Sequence, residues 1–456
     1  MNRRHFMKTA AGTTAAMAMA PGSASSSQNV LGANDRVNVA LIGCGGRGRL
    51  VAGHMAKVPN VAFVAVCDIS DTTIAQARTS AFAAPGAEGY KDFRRALDRK
   101  DVHAVLIATP DHWHAIPTVL ACQAGKDVYV EKPLGHNVVE GRKMVEAARK
   151  HNRIVQHGTQ HRSAPHYKEI EKIIQSGEIG DVHFVRVWNY GGNVAGQQIP
   201  DSEVPEGVDW DMYLGPAPMV PFNRQRFQGT YRRFFDYAGG YITDFGCHRL
   251  DSVHQVMHDD TPLTVYSMGS LYVPVGQGDT PDVLQVTYEY KNWVLSYEGI
   301  QMNSFGTGPR MPGGRVPYNA AGAFARPHGE AFYGTKGTIF SDRVGYELFP
   351  ADGGGSRRGG AGGGENGDEA APKSAEGRDC TDLHAANFIE AVRSRQKPVA
   401  DIEIGHKSSN VCHLGNISYR LGGRKLKWDA AKDEIVGDPE ASKLLWREPR
   451  AKWDLI

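Results

Sequence analysis

Apolar runs and polar helical stretches alternate along the first third of the chain. Val37, Val39, Ala40, Leu41 and Ile42 form the first run, and Val61–Val66, Ala104–Ala108, Val128–Val130 and Ile154–Gln156 repeat the pattern. Runs apolar on both faces, separated by helical stretches, predict strands of a buried parallel sheet with helices on either side. One of those helices, near Val138–Lys150, has a legible start: Asn137 can accept from the free first-turn N–H groups, and Glu140 can reach back. After His157 the pattern changes. Val182–Asn189, Leu263–Val273, Val283–Tyr290 and Trp293–Glu298 are longer, with alternating or aromatic content, and predict a mostly antiparallel sheet; Glu289–Trp293 would be a turn joining two strands. Ser304–Pro327, rich in Gly and Pro, reads as a loop, and the low-complexity run Ala351–Asp379 as a mobile surface insertion. Helical periodicity returns at Asp382–Arg393 and Gly405–Leu421. The fold class that follows is α/β: a doubly wound domain over residues 34–157, then an α+β domain with a mostly antiparallel open sheet over residues 158–456.

A length of 456 residues fits two domains, and 41% hydrophobic with 22% charged residues fits a water-soluble globular chain. The net charge of +2 is misleading, because the first 34 residues hold Arg3, Arg4 and Lys8 and no acid. Without them, 49 basic residues face 50 acidic ones, which excludes a charge-driven nucleic-acid or anionic-membrane partner. Asn2-Arg3-Arg4-His5-Phe6-Met7-Lys8 is a twin-arginine pattern, and the mild apolar run Thr9–Ala20 follows it. Small residues at Ala18–Ala20 and Gly22–Ala24 suit cleavage, so residues 1–33 read as an export signal and linker. The run is too short and too rich in small residues for a membrane anchor. Export in the folded state to the periplasm is the expectation. Of six cysteines, Cys44 lies in a glycine loop, Cys67 at a strand end and Cys122 in a helical pattern. Folding before export means folding in a reducing compartment, so buried free thiols are expected.

The first apolar run stops on Gly43-Cys44-Gly45-Gly46-Arg47-Gly48, and a helical stretch begins at once. GxGxxG between a strand and a helix serves dinucleotides. The glycines allow a tight turn, a backbone close to the pyrophosphate and close helix packing, while the helix N-terminus attracts phosphate. Asp68 ends the second strand, 20 residues past Gly48, where a carboxylate accepts from both ribose hydroxyls and repels a 2′-phosphate. NAD is therefore the expected cofactor. Ligands of such sheets sit beyond the carboxyl ends of the strands, which brings Thr109, Pro110, His112, Trp113 and His114, then Glu131 and Lys132, then His157–Gln160, toward the same place. His157 and His161 have a spacing that two metal ligands could use, but Gly158 weakens a helix there and no carboxylate completes a set, so no metal is expected.

The glycine loop, Asp68, ATPDHWH (Ala108–His114), EKPL (Glu131–Leu134) and GGYITDFGCHRLD (Gly239–Asp251) together resemble the Gfo/Idh/MocA oxidoreductases over most of residues 36–300. The resemblance implies an N-terminal Rossmann domain, a second α/β domain whose sheet covers the cofactor, and oxidation or reduction of a hydroxyl-bearing carbon on a sugar or cyclitol with NAD(P). It also implies a small carbohydrate substrate and a homo-oligomer. Lys132, at a strand end, can hydrogen-bond a substrate hydroxyl. Asp244 and His248, four residues apart, share a helix face. By resemblance His248 is the general base, Asp244 orients the substrate or His248, and Lys132 tunes the hydroxyl. Gly43, Gly45, Gly46, Arg47, Gly48, Asp68, Thr109, Pro110, His114, Glu131 and Lys132 are the expected cofactor contacts. Trp188, Tyr190, Arg232, Arg233 and Tyr237 could form a sugar-binding wall or simply pack. An alternative activity on the same scaffold is an NAD-retaining glycosidase that oxidises a ring hydroxyl, eliminates the aglycone and returns the hydride. Export favours it, because the periplasm lacks a free NAD pool; the retained lysine of EKP argues against it.

Overall fold

A computed structural model describes residues 35–191, 196–274, 276–303, 326–351, 373–454 and 456. The expected signal over residues 1–33, nearly all of the Ser304–Pro327 loop and most of the Ala351–Asp379 insertion lie outside the described residues.

Six parallel strands make the first sheet: β1 (Val37–Ile42), β2 (Val61–Cys67), β3 (Ala83–Tyr90), β4 (Ala104–Ile107), β5 (Asp127–Val130) and β6 (Val155–His157). Their order, β3-β2-β1-β4-β5-β6, reverses between β1 and β4, and the glycine loop sits at that switch point. Every residue of β1 and β4 is buried, as strands covered on both faces should be. The sequence pattern did not reveal β3. Its Ala-Ala-Pro-Gly-Ala-Glu-Gly-Tyr buries only Ala87, and Pro85 is tolerated because the strand lies at the sheet edge. The helix Val138–Lys150 starts as expected: Asn137 Oδ1 accepts from Glu140 N at 3.0 Å, and Glu140 Oε2 accepts from His136 N at 2.8 Å.

Among the described residues the second sheet has ten strands. The four expected ones are present as β7 (Val182–Tyr190), β8 (Thr264–Ser270), β9 (Val283–Glu289) and β10 (Val294–Ile300). Six more complete it: β11 (His328–Gly334), β12 (Gly337–Asp342), β13 (Gly345–Pro350), β14 (Lys373–Glu376), β15 (Leu426–Asp429) and β16 (Glu434–Ile435). All neighbours are antiparallel except β7 and β10. One face packs on helices Pro165–Gln175, Cys247–Met257 and Ile402–Arg420, with Tyr167, Leu250, Val253, Tyr288, Leu295 and Leu414 in one core.

Two findings revise the reading of the C-terminal half. The insertion does not extend to Asp379: Lys373–Glu376 pairs with β13, and Asp379 Oδ1 accepts from Thr381 N at 3.0 Å. Four paired residues on a sheet edge are enough to fix a segment whose composition is polar. Helix Thr381–Ser394 then crosses back to the first sheet, where Ala385, Phe388, Ile389 and Val392 pack with Val37, Val39, Leu41 and Tyr129. The chain beyond residue 158 thus supplies part of the first domain's core. No described helix is long and apolar enough to cross a membrane.

Candidate active site

A cleft of about 910 Å³ runs from the glycine loop to the first turn of helix Cys247–Met257. At its nucleotide end the glycines divide by environment. Gly43 has φ +89°, and a Cβ there would lie 2.6 Å from the Ala108 carbonyl carbon; a Cβ on Gly48 would lie 2.1 Å from Gly43 O. A Cβ on Gly45 or Gly46 would meet nothing within 4 Å. The loop therefore packs through its outer glycines and leaves its middle open to the cleft. The helix starts at Gly46, and its first-turn N–H groups have no earlier turn to donate to. Asp68 Oδ2 accepts from Cys44 N at 2.8 Å and Oδ1 from Ser70 N at 3.1 Å, which fixes the carboxylate at the cleft rim. Burial raises its pKa above the ordinary range, and those backbone bonds oppose the rise. An open loop, a helix N-terminus and a fixed carboxylate fit the pyrophosphate and ribose of a dinucleotide.

At the other end, Lys132 follows β5 and precedes a cis peptide to Pro133. Its ammonium donates to Asp244 O at 2.9 Å and to Asp244 Oδ1. Arg232 Nε lies 3.1 Å from the same Oδ1. Asp244 sits in a π-helical turn, Ile242–Gly246, that leads into helix Cys247–Met257. The wider turn departs from the plain α-helix expected, yet Asp244 and His248 still face one cleft. Burial works against a charge on Asp244, but Arg232 and Lys132 outweigh it and hold its carboxyl well below the usual range. Burial pushes the His248 imidazole well below its ordinary pKa, and the positive charges of Arg343 and Lys132 add to this. His248 Nδ1 has no hydrogen-bond partner among the described residues. The adjacent His161, with ring centroids 5.3 Å apart, is engaged on both nitrogens: Arg343 Nε donates to Nε2 at 3.0 Å, and Nδ1 meets Ser252 Oγ at 3.0 Å.

Gly43, Gly45, Gly46, Arg47, Asp68, Thr109, Pro110, Glu131, Lys132, Asp244 and His248 all line this cleft. Arg47 crosses it to Glu131 at 2.7 Å and to Gln160 at 3.3 Å. Gly48 and His114 do not line it. Gly48 packs beneath the loop, and His114 is clamped between Thr109 O at 3.0 Å and Pro133 O at 2.6 Å, so it joins two loops. His112 and Trp113 are anchors too, meeting Tyr213 O and Met212 O at 2.9 Å each. His157 is buried, with Thr159 Oγ1 3.5 Å from its Nδ1. Of the aromatic and basic residues left open between wall and packing, Arg232 lines the cleft, Tyr237 lies in a buried aromatic cluster, and Tyr190 OH donates to Glu298. Trp188 is buried against Arg326 O, and Arg233 is absent from the cleft lining. Gln160, at the end of the expected His157–Gln160 segment, lines it as well, and so do Phe227, Gln228, Tyr231, Arg343 and Asp379, which were not anticipated. These five come from three separate segments with no spacing in common. All six cysteines are buried and unpaired.

Comparison with known proteins agrees with this architecture. Residues 37–159 match the model of an oxidoreductase family with an NAD-binding Rossmann fold, residues 164–290 and 375–455 match that family's C-terminal alpha/beta domain, and residues 1–20 match a twin-arginine translocation signal sequence. The fold and cleft are thus those of an NAD-binding oxidoreductase. The chain belongs to the Gfo/Idh/MocA family. It is similar to the uncharacterized oxidoreductase YrbE of Bacillus subtilis, at 29% identity over 256 residues, covering 55% of this chain and 63% of that one. It is also similar to inositol 2-dehydrogenase of Salmonella paratyphi B, at 32% identity over 168 residues, covering 36% of this chain and 48% of that enzyme. The chain thus spans between about half and two thirds of these relatives' length. In fold it resembles levoglucosan dehydrogenase in complex with NADH, with a TM-score of 0.63 and 19% identity over 85% of this chain and 98% of that one.

Proposed function

We propose that this protein is an exported, NAD-dependent dehydrogenase that oxidises a hydroxyl-bearing carbon of a sugar, glycoside or cyclitol in the periplasm. The observation that carries the reading is the convergence of Lys132, Asp244 and His248 at the end of a cleft whose other end is built for a dinucleotide. Bound NAD supplies the hydride acceptor. Gly45, Gly46 and the helix N-terminus hold its phosphates, and Asp68 accepts from its ribose.

The residues at the far end handle the substrate's oxygen and its proton. Lys132 spends two of its three donors on Asp244 and directs the third at the substrate hydroxyl. That contact stabilises negative charge as the O–H bond breaks. His248 is the base. Burial and the neighbouring cations keep its imidazole neutral near pH 7, the form that accepts a proton. Asp244 holds Lys132 in place and offsets part of the cluster's positive charge. The buried walls of the cleft keep water from competing for the hydroxyl.

The test is a screen of cyclitols, aldoses and alkyl glycosides for reduction of NAD at 340 nm, a wavelength at which NADH absorbs and NAD does not. The reading expects one class to be oxidised, with His248→Ala losing at least about a hundredfold in kcat at unchanged NAD affinity. Equal loss of turnover and NAD affinity would contradict the role of His248. Release of nitrophenol from a nitrophenyl glycoside without added NAD would mark the glycosidase chemistry instead.

A further inference from the structure

Asp244 is held by two cations, and the second, Arg232, belongs to none of the motifs that announce the site. Arg232 arrives on Gln228–Arg233, a short 3-10 segment outside both sheets. Tyr231 OH donates to the buried Asp111 Oδ1 at 3.1 Å, and the Arg232 guanidinium lies 4.7 Å over the Tyr231 ring. Asp111 stands just beyond β4, whereas Asp244 belongs to the second domain. The segment therefore spans the cleft and delivers its arginine to a chosen atom.

Charge counting shows that this arginine is not needed for pairing alone. Lys132 and Asp244 already form a neutral pair, and Arg232 joins it as a second cation on the same carboxylate, with Asp111 the next acid near its guanidinium. Its side chain is 36% exposed and has water within reach, yet it shares an oxygen that Lys132 already occupies. That arrangement becomes useful during the reaction. When Lys132 shares its charge with a substrate oxygen through its third donor, Asp244 would lose part of its compensation while staying largely shielded from water, which is unfavourable. An arginine stays protonated at any pH a folded protein meets, so Asp244 keeps a full counter-charge throughout.

We propose that Arg232 is a positioning residue for the oxidation: it keeps Asp244 charged and in place so that Lys132 can commit to the substrate oxygen. The role rests on the reading above, in which Lys132 serves a substrate hydroxyl.

The test is steady-state kinetics of full-length wild type, Arg232→Ala, Arg232→Gln and Arg232→Lys on the polyol found in the screen, with NAD affinity and melting temperature measured on the same samples. The expected result is a fall in kcat of at least about tenfold in Arg232→Ala and Arg232→Gln, at unchanged NAD affinity and a smaller change in KM. Arg232→Lys recovers part of the loss. Guanidinium ion restores turnover to Arg232→Ala, and sodium chloride at equal ionic strength does not, a response that a packing role would not produce. Wild-type kcat in Arg232→Ala, or indifference to guanidinium, would overturn the proposal. Where Arg232→Ala does not fold, equal kcat in the Gln and Lys variants would do the same. A wild type that oxidises no polyol removes the proposed function together with this role, and so is told apart from a failure of Arg232 alone.

Discussion

Gly43 and Gly48 carry no side chain because neighbouring backbone leaves no room, whereas Gly45 and Gly46 leave open a face that a phosphate needs. The same loop thus separates a packing demand from a binding demand residue by residue. Asp68 belongs to the second kind. Its carboxylate is fixed by two backbone N–H groups before any ligand arrives, so little ordering remains when ribose hydroxyls bind. Asp68→Ala should therefore lower the preference for NAD over NADP by at least about tenfold, read as the ratio of the two dissociation constants, and an unchanged ratio would count against the assignment. Lys132, Asp244 and His248 were legible because each lies in a short motif with a fixed spacing. Arg343 and Asp379 were not, and the sequence leaves Arg232 open between a sugar-binding wall and packing. A spacing rule describes neighbours along one helix or strand, and these three reach the cleft from a 3-10 segment, a turn between strands and a helix start. His114 shows the opposite error: it sits inside a motif yet serves the loops rather than the cleft.

At the scale of elements, the strands of the first sheet announced themselves as short apolar runs, unbroken in β2 and β4 and carrying Asn38 in β1, Asp127 in β5 and Gln156-His157 in β6. β3 and β11–β13 did not, because each carries glycine or proline, and β14 did not, because its Lys-Ser-Ala-Glu is polar or small; all draw their stability from neighbours that pair with them. Helix Thr381–Ser394 is the most consequential element whose place the sequence left open. Its periodicity predicted a helix, but nothing in the pattern says which sheet it covers. It packs Phe388, which is fully buried with its ring 5.8 Å from that of Tyr129, against the underside of the nucleotide-binding sheet. Its first residue, Thr381, touches Arg47 of the glycine loop at 3.5 Å. Phe388→Ala should cost about 3–5 kcal/mol of stability, measured by denaturant unfolding, and should weaken NAD binding through the loop. A loss below about 1 kcal/mol would show that the helix is dispensable to the first domain.

Across the whole molecule, the cleft draws its lining from both domains, and neither domain alone holds a complete site. The glycine loop, Asp68 and Lys132 come from the first, while Arg232, Asp244, His248 and Arg343 come from the second. A twin-arginine signal suits such an assembly, since that route carries proteins already folded, and six buried unpaired cysteines agree with folding in a reducing compartment. The central claim is that the reacting end of a bound dinucleotide lies where the two domains' chemical groups converge. A crystal structure of the protein with NAD and an oxidisable polyol tests it most directly. The nicotinamide is expected between β4 and the π-helical turn, with the polyol's reacting oxygen within hydrogen-bond reach of both Lys132 and His248. A nicotinamide directed away from those two residues, or a polyol bound outside the cleft, would contradict it.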